Sequence, residues 1–111
     1  MVIDGHLEVP CIVDTGATVT LLPLWVADDL GYRRNPPAAW GFIQTAGGPR
    51  RLPAYAVRRL DIQGLSVENL PVVFGDLPGT DGSTGLLGMD VLRSFALAVD
   101  HDIGRMTLRL P

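Results

Sequence analysis

Lysine is absent from this 111-residue chain, and cysteine occurs once, as Cys11. A lone cysteine excludes an intrachain disulfide and any cysteine-rich zinc site. All basic residues are arginines, scattered as the pairs Arg33-Arg34, Arg50-Arg51 and Arg58-Arg59 and as single residues, and the formal charge is −3. With no basic tract, nothing resembles a nucleic-acid footprint. No apolar run approaches the roughly 18 residues of a membrane helix, so no membrane contact is expected of this segment. The first residues also lack the basic start and apolar run of a signal peptide. The expected setting is therefore either the cytoplasm or a longer, membrane-tethered chain. What is present is apolar content: 47% of residues are hydrophobic. That is enough for a core without disulfide staples, and the length suits one domain over residues 1–111.

The chain punctuates itself with turns. Val2 to Leu7 alternate around Asp4-Gly5, a two-residue hairpin signal. A strand is expected from His6 to Val13, with Cys11-Ile12-Val13 as a buried run ending on Asp14. Val19, Leu21 and Leu22 predict another short strand. Pro23 suits a helix first turn, Leu24, Ala27 and Leu30 share a helical face, and Gly31 ends it. Gly31 to Ala39 reads as a polar connection. Trp40 to Ala46 and Arg50 to Leu60 predict two strands joined across Gly47-Gly48-Pro49, a hairpin tip with little side chain. A second tight turn falls at Ile62-Gln63-Gly64-Leu65. Val67 to Phe74 predicts a strand with Leu70, Val72 and Phe74 on one face. Gly75 to Gly85 is a long loop. Leu86-Leu87-Gly88 is a short buried strand, and Met89 to Ser94 suits a short helix. Phe95 to Val99 and Met106 to Leu110 are closing strands around Asp102-Ile103-Gly104. Many short strands with one or two short helices indicate a mainly-β domain, a small closed barrel.

Asp14 is the residue with chemical promise. A carboxylate at the end of an apolar strand is costly to bury unless something compensates. Asp before Thr-Gly is also a good turn sequence, so a purely structural role stays open. A phospho-acceptor role is poor, because it calls for a lysine and a magnesium site, and there is no second Asp two residues on. A metal-ligand role is poor too: His6, His101, Asp100 and Asp102 form no ligand spacing with Asp14. His6 and His101 read as ordinary strand or turn residues. No metal or cofactor is called for. The remaining chemistry needs two carboxylates sharing a water. A two-fold symmetric homodimer would supply the second copy of Asp14, and the monomer would then be inactive.

Asp14-Thr15-Gly16-Ala17-Thr18 resembles the active-site signature of retropepsin-like aspartic proteases. Leu86-Leu87-Gly88-Met89-Asp90-Val91-Leu92 resembles that family's second landmark, two apolar residues and Gly before a short helix. The glycine-tipped hairpin midway also fits, and the likeness runs over nearly the whole chain. Thr45-Ala46-Gly47-Gly48 and Leu86-Leu87-Gly88-Met89 are similar to stretches of the bacterial single-domain members. The resemblance implies an acid-protease barrel that works as a homodimer on an extended peptide or protein substrate. It implies that Asp14 is the catalytic aspartate and that Thr15 binds the partner subunit's backbone beneath the site. Gly16 would bond the substrate backbone or an aspartate oxygen. Ala17, Thr45, Ala46, Gly47 and Gly48 would contact substrate, the last four as a closing flap. Leu86, Leu87 and Gly88 would support the Asp14 loop.

Two departures stand out. Many viral members carry an acidic residue at the position of Thr18 and an arginine at that of Met89, which pair with each other. Losing both strands no charge. The Gly75 to Gly85 loop is longer than compact viral members need, and Pro49 is placed to stiffen the flap tip. The implied mechanism has two aspartates sharing one proton, as aspartic proteases do in general. The ionised one takes a proton from water while the other donates to the scissile carbonyl, with activity on the acidic side. A catalytically silent retropepsin-fold dimerisation or peptide-binding module is the alternative. A monomeric Asp-dependent hydrolase lacks a second placed carboxylate.

Overall fold

The computed structural model describes residues 1–45, 47–76, 82–94, 96–100 and 105–109. Two turns with a left-handed backbone set the local frame. Asp4 and Gly5 have φ of 53° and 80°, and they turn β1 (Val2–Ile3) into β2 (Leu7–Glu8), paired Ile3↔Leu7. The connection holds three residues rather than two, with the His6 amide donating to the Ile3 carbonyl. Gln63 and Gly64, at φ of 45° and 85°, make the expected two-residue turn, Ile62↔Leu65.

The expected strand from His6 to Val13 is broken in two. Pro10 has no N–H to give a ladder, and the chain resumes as β3 (Cys11–Val13). Nor is β3 buried: Ile12 is 50% exposed. The reason is its place at the end of the sheet, where it bonds β8 alone. After β4 (Leu21–Leu22) comes α1 (Leu24–Asp29), entered through Pro23 and closed before Gly31 at φ 78°. The connection expected to be irregular contains a 3-10 turn, Tyr32–Arg34.

The sheet is built on β6 (Gly48–Ile62), the longest strand. It pairs antiparallel with β5 (Ala39–Thr45) along its first half and with β7 (Leu65–Phe74) along its second. The β7 ladder begins only at Ala54↔Val73, so residues 48–53 are paired to β5 alone. The β5–β6 hairpin therefore leaves the sheet as a two-stranded arm. Its register, Thr45↔Gly48, leaves a two-residue tip in place of the three-residue Gly47-Gly48-Pro49 expectation, and Pro49 lies in the strand. Ala46 lies outside the described residues.

The eight-stranded sheet runs β2-β1-β6-β7-β4-β8-β3 with β5 on β6, and it curls into a half-barrel. Here β8 is Gly85–Leu87, followed by α2 (Met89–Leu92). Strands β9 (Ala96–Asp100) and β10 (Arg105–Arg109) form a separate antiparallel pair, and the turn expected at Asp102-Ile103-Gly104 lies outside the described residues. Mainly-β architecture with two short helices is thus as the sequence implies. Phe74, Ile3, Leu22, Leu60, Leu87 and Leu92 fill the centre with no exposure. Phe74 packs edge-on to Tyr55 at 5.7 Å between ring centroids, and Tyr32 lies against both.

Asp4 ties the first hairpin to this core. Its side chain, 7% exposed, accepts hydrogen bonds from the Tyr32 hydroxyl at 2.7 Å, the Arg58 guanidinium at 3.1 Å and the Arg59 amide at 3.1 Å. Burial pushes the carboxyl up, but these bonds and the Arg58 charge outweigh it and leave it below its ordinary value. A folded-state value below the unfolded one adds stability above the ordinary Asp range, and that stability is lost as pH falls through the lowered value. Asp4→Asn keeps a residue tolerant of positive φ but removes the ionisation. The expected result is a melting-temperature gap between wild type and D4N that closes from about pH 5 to about pH 2. A gap independent of pH would refute the assignment.

Candidate active-site loop

The loop from Asp14 to Thr20 is hung between two parallel strands and then locked from below. β3 and β8 pair Cys11↔Gly85, Ile12↔Leu86 and Val13↔Leu87. The Asp14 amide extends that ladder by donating to the Leu87 carbonyl at 3.0 Å. The chain then turns sharply. The Gly16 amide donates to Asp14 Oδ1 at 2.9 Å, and the Ala17 amide donates to the Asp14 carbonyl at 3.2 Å. A Cβ on Gly16 would stand 3.2 Å from that same Oδ1, so glycine suits the place that brings the amide to the carboxylate. Asp14 is half-buried, with Thr15 and Gly16 exposed beside it. The Thr15 hydroxyl has no hydrogen-bond partner among the described residues.

The lock is made by residues far apart in the chain. Met89 donates its amide to the Ala17 carbonyl at 2.8 Å. Thr20, completely buried, donates its hydroxyl to Asp90 Oδ1 at 2.7 Å and its amide to Asp90 Oδ2 at 3.0 Å. The same hydroxyl accepts the Gly88 amide at 3.2 Å. Asp90 in turn accepts the Val91 amide at 2.9 Å, at the start of α2. Each polar atom in this buried knot is satisfied, which makes such a network stiff. Gly88 lets it close: a Cβ there would lie 2.4 Å from the Val19 carbonyl oxygen. Leu87 is fully buried and Leu86 half-buried against Leu21, Ala54 and Val73.

Of the residues singled out in the sequence, the structure brings Asp14, Thr15, Gly16 and Ala17 into one turn and sets Leu86, Leu87 and Gly88 directly beside it. Thr45, Gly47 and Gly48 fall at the tip of the β5–β6 arm, with Gly48 at φ 106°. Asp90 lies within the second landmark, but nothing in the sequence marked its supporting role or its pairing with Thr20. The only signal was an acidic residue in the first turn of a helix after glycine, a common preference in its own right. In place of a Thr18–Met89 charge pair, the loop and helix are joined by this hydroxyl-to-carboxylate network. Among the described residues, no three His, Cys, Asp or Glu side chains gather to hold a metal ion, and no helix is long and apolar enough to cross a membrane.

Comparison with known proteins points the same way as the loop. The family model described as aspartyl protease matches residues 1–91. Among solved structures, the chain is similar to the crystal structure of a retropepsin-like aspartic protease from Rickettsia conorii. The TM-score is 0.62 at 27% sequence identity, covering 81% of this chain and 66% of that one. The chain thus spans just under two thirds of the length of that protein. No curated protein matches it.

Proposed function

Because the chain belongs to the aspartyl protease family, we propose that it is an endopeptidase whose working site is assembled from two copies of the Asp14 loop, one from each subunit of a homodimer. The observation that carries this reading is the placement of Asp14. A carboxylate is held at the mouth of a strand by the Gly16 amide, on a loop anchored from beneath, with its neighbours open to solvent. One carboxylate can take a proton or give one, but hydrolysis of an amide through water asks for both acts at once. The second copy supplies the other group.

Three features of the loop's surroundings support pairing. β3 is an edge strand, Ile12 and Val19 are 50% and 44% exposed on either side of the loop, and the Thr15 hydroxyl has no partner among the described residues. In the dimer, Thr15 would bond the partner's backbone and so level the two aspartates. Two carboxylates so close share one proton, as in other aspartic proteases. The ionised one draws a proton from the trapped water, which attacks the amide carbon. The protonated one donates to the carbonyl oxygen, and no covalent intermediate forms. The arm tip, Thr45 to Gly48, would close over an extended peptide and bond its backbone as an added strand does. Gly16 and Ala17 would face the peptide from the floor.

The test is cleavage of a mixed peptide library at pH 4 to 7 with the enzyme concentration varied. Cleavage with specific activity that rises with enzyme concentration is expected, levelling off once the dimer is saturated. Specific activity independent of concentration in a protein that sediments as a monomer would defeat the two-copy site. Absence of cleavage across the range would favour a silent peptide-binding module of the same fold.

A further inference from the structure

Where the β5–β6 arm joins the body of the sheet there is a cavity of about 370 Å³. The arm contributes Arg50, Leu52 and Trp40, and the body contributes Leu24 and Phe74. No residue of the Asp14 loop lines it. Its direction follows from the strand pleat. Arg50 and Leu52 lie two apart on β6 and so share a face, and Leu52 is the side chain closest to Gly75 on the body. Leu52 thus turns toward the body, and Arg50, itself exposed, stands on the same face at the mouth of the cavity. Arg51, on the other face, lies over the Trp40 ring at 4.0 Å.

The charges in the cavity do not balance. The Arg50 guanidinium has no hydrogen bond or ion pair among the described residues. Arg33 also lines the cavity and meets Asp28 at 3.3 Å, with both side chains about half exposed, a geometry that binds weakly. The one carboxylate present is Asp76, which accepts the Leu24 amide at 3.4 Å. Arg33 thus has Asp28 beside it, and the one carboxylate lining the cavity with Arg50 is already turned to the start of α1. The walls around them are leucine, phenylalanine and indole. A guanidinium against an apolar wall binds a carboxylate in paired, directional bonds. The cavity lies at the small end of ligand pockets, with room for one acidic side chain and an apolar neighbour. Asp76 opposes a polyanion but leaves a place for a single negative charge.

We propose that this cavity is an accessory recognition pocket, outside the catalytic loop, which takes an acidic side chain of the polypeptide substrate through Arg50. The inference rests on the endopeptidase reading and selects a substrate class for it: peptides carrying Glu or Asp beside an apolar residue.

Two measurements separate the inference from the reading beneath it. In the first, peptides that carry Glu or Gln at successive positions on either side of the cleaved bond are compared with wild type and Arg50→Gln. About a tenfold lower KM for Glu is expected within one window of positions, with kcat unchanged and the preference absent in R50Q. In the second, acetyl-Leu-Glu-Phe-amide and its Gln counterpart are titrated against Asp14→Asn protein, with indole fluorescence as the readout and Trp40→Phe identifying the responding ring. Tighter binding of the Glu peptide is expected, and R50Q in the same background should abolish the difference. Equal cleavage and equal binding of the two series, or a Glu preference that survives in R50Q, would overturn the pocket. Selective binding without any cleavage would leave the pocket standing and remove the endopeptidase reading instead.

Discussion

Asp14→Asn is expected to lower peptide hydrolysis by about a thousandfold or more, because it removes the group that exchanges protons in both halves of the site. The fold should not notice. Asparagine keeps an oxygen at the Oδ1 position, so the Gly16 amide retains its acceptor at 2.9 Å. The Asp14 amide and carbonyl, which bond Leu87 and Ala17, are backbone groups and unaffected. The buried knot beneath, Thr20 with Asp90 and Gly88, does not touch the Asp14 side chain. Wild type and D14N should therefore melt within a degree or two of one another and show the same association state, while kcat collapses. Such a separation of activity from stability marks a chemical role, since a turn-forming aspartate would show the reverse. If D14N keeps activity within tenfold of wild type, Asp14 is not the catalytic group and the loop is structural.

Gly88→Ala should act in the opposite sense, on the fold first. The added Cβ would lie 2.4 Å from the Val19 carbonyl oxygen and 2.5 Å from the Val19 carbonyl carbon. These are backbone atoms and cannot swing aside as a flexible side chain would. Relief requires moving the β8–α2 junction away from Val19. That move strains the Gly88 amide to Thr20 bond and the Met89 amide to Ala17 bond together. A cost of roughly 3 kcal/mol or more is expected, at the upper end of overpacking effects, and would show as a lower urea midpoint with an unchanged slope. Against a total of about 5–15 kcal/mol for an ordinary domain, that is a large fraction. Gly5→Ala is the control. Nothing lies within 4 Å of its Cβ, so only the left-handed backbone at φ 80° is penalised, at about 1–2 kcal/mol. If the two variants cost the same, the close approach at Val19 is not what makes Gly88 necessary.

The Asp14 loop also shows why part of the site is legible in the sequence alone. Its turn is local: the carboxylate and the amide that meets it are two residues apart, and Thr-Gly after Asp favours that geometry in any context. The same holds for the hairpins at Asp4-Gly5 and Gln63-Gly64, where Asp4 and the two glycines suit a left-handed backbone by themselves. The boundaries are less legible where a neighbouring strand decides them. Pairing of Thr45 with Gly48 drew Gly48 and Pro49 into β6, and Ile12 is exposed because no strand lies beyond β3.

Short-range chemistry thus wrote the turns, the helix stop at Gly31 and the position of Asp14 at the end of a strand into the chain, because φ preferences and Asp-to-amide bonds act over two or three residues. The Thr20–Asp90 knot spans 70 residues, the closeness of Gly88 to Val19 spans nearly as many, and Arg50, Leu24 and Asp76 line one cavity from distant parts of the chain. Contacts of that range depend on how the sheet curls and which strands become neighbours. They arise from the cooperative burial of one core, and no local window of sequence contains them.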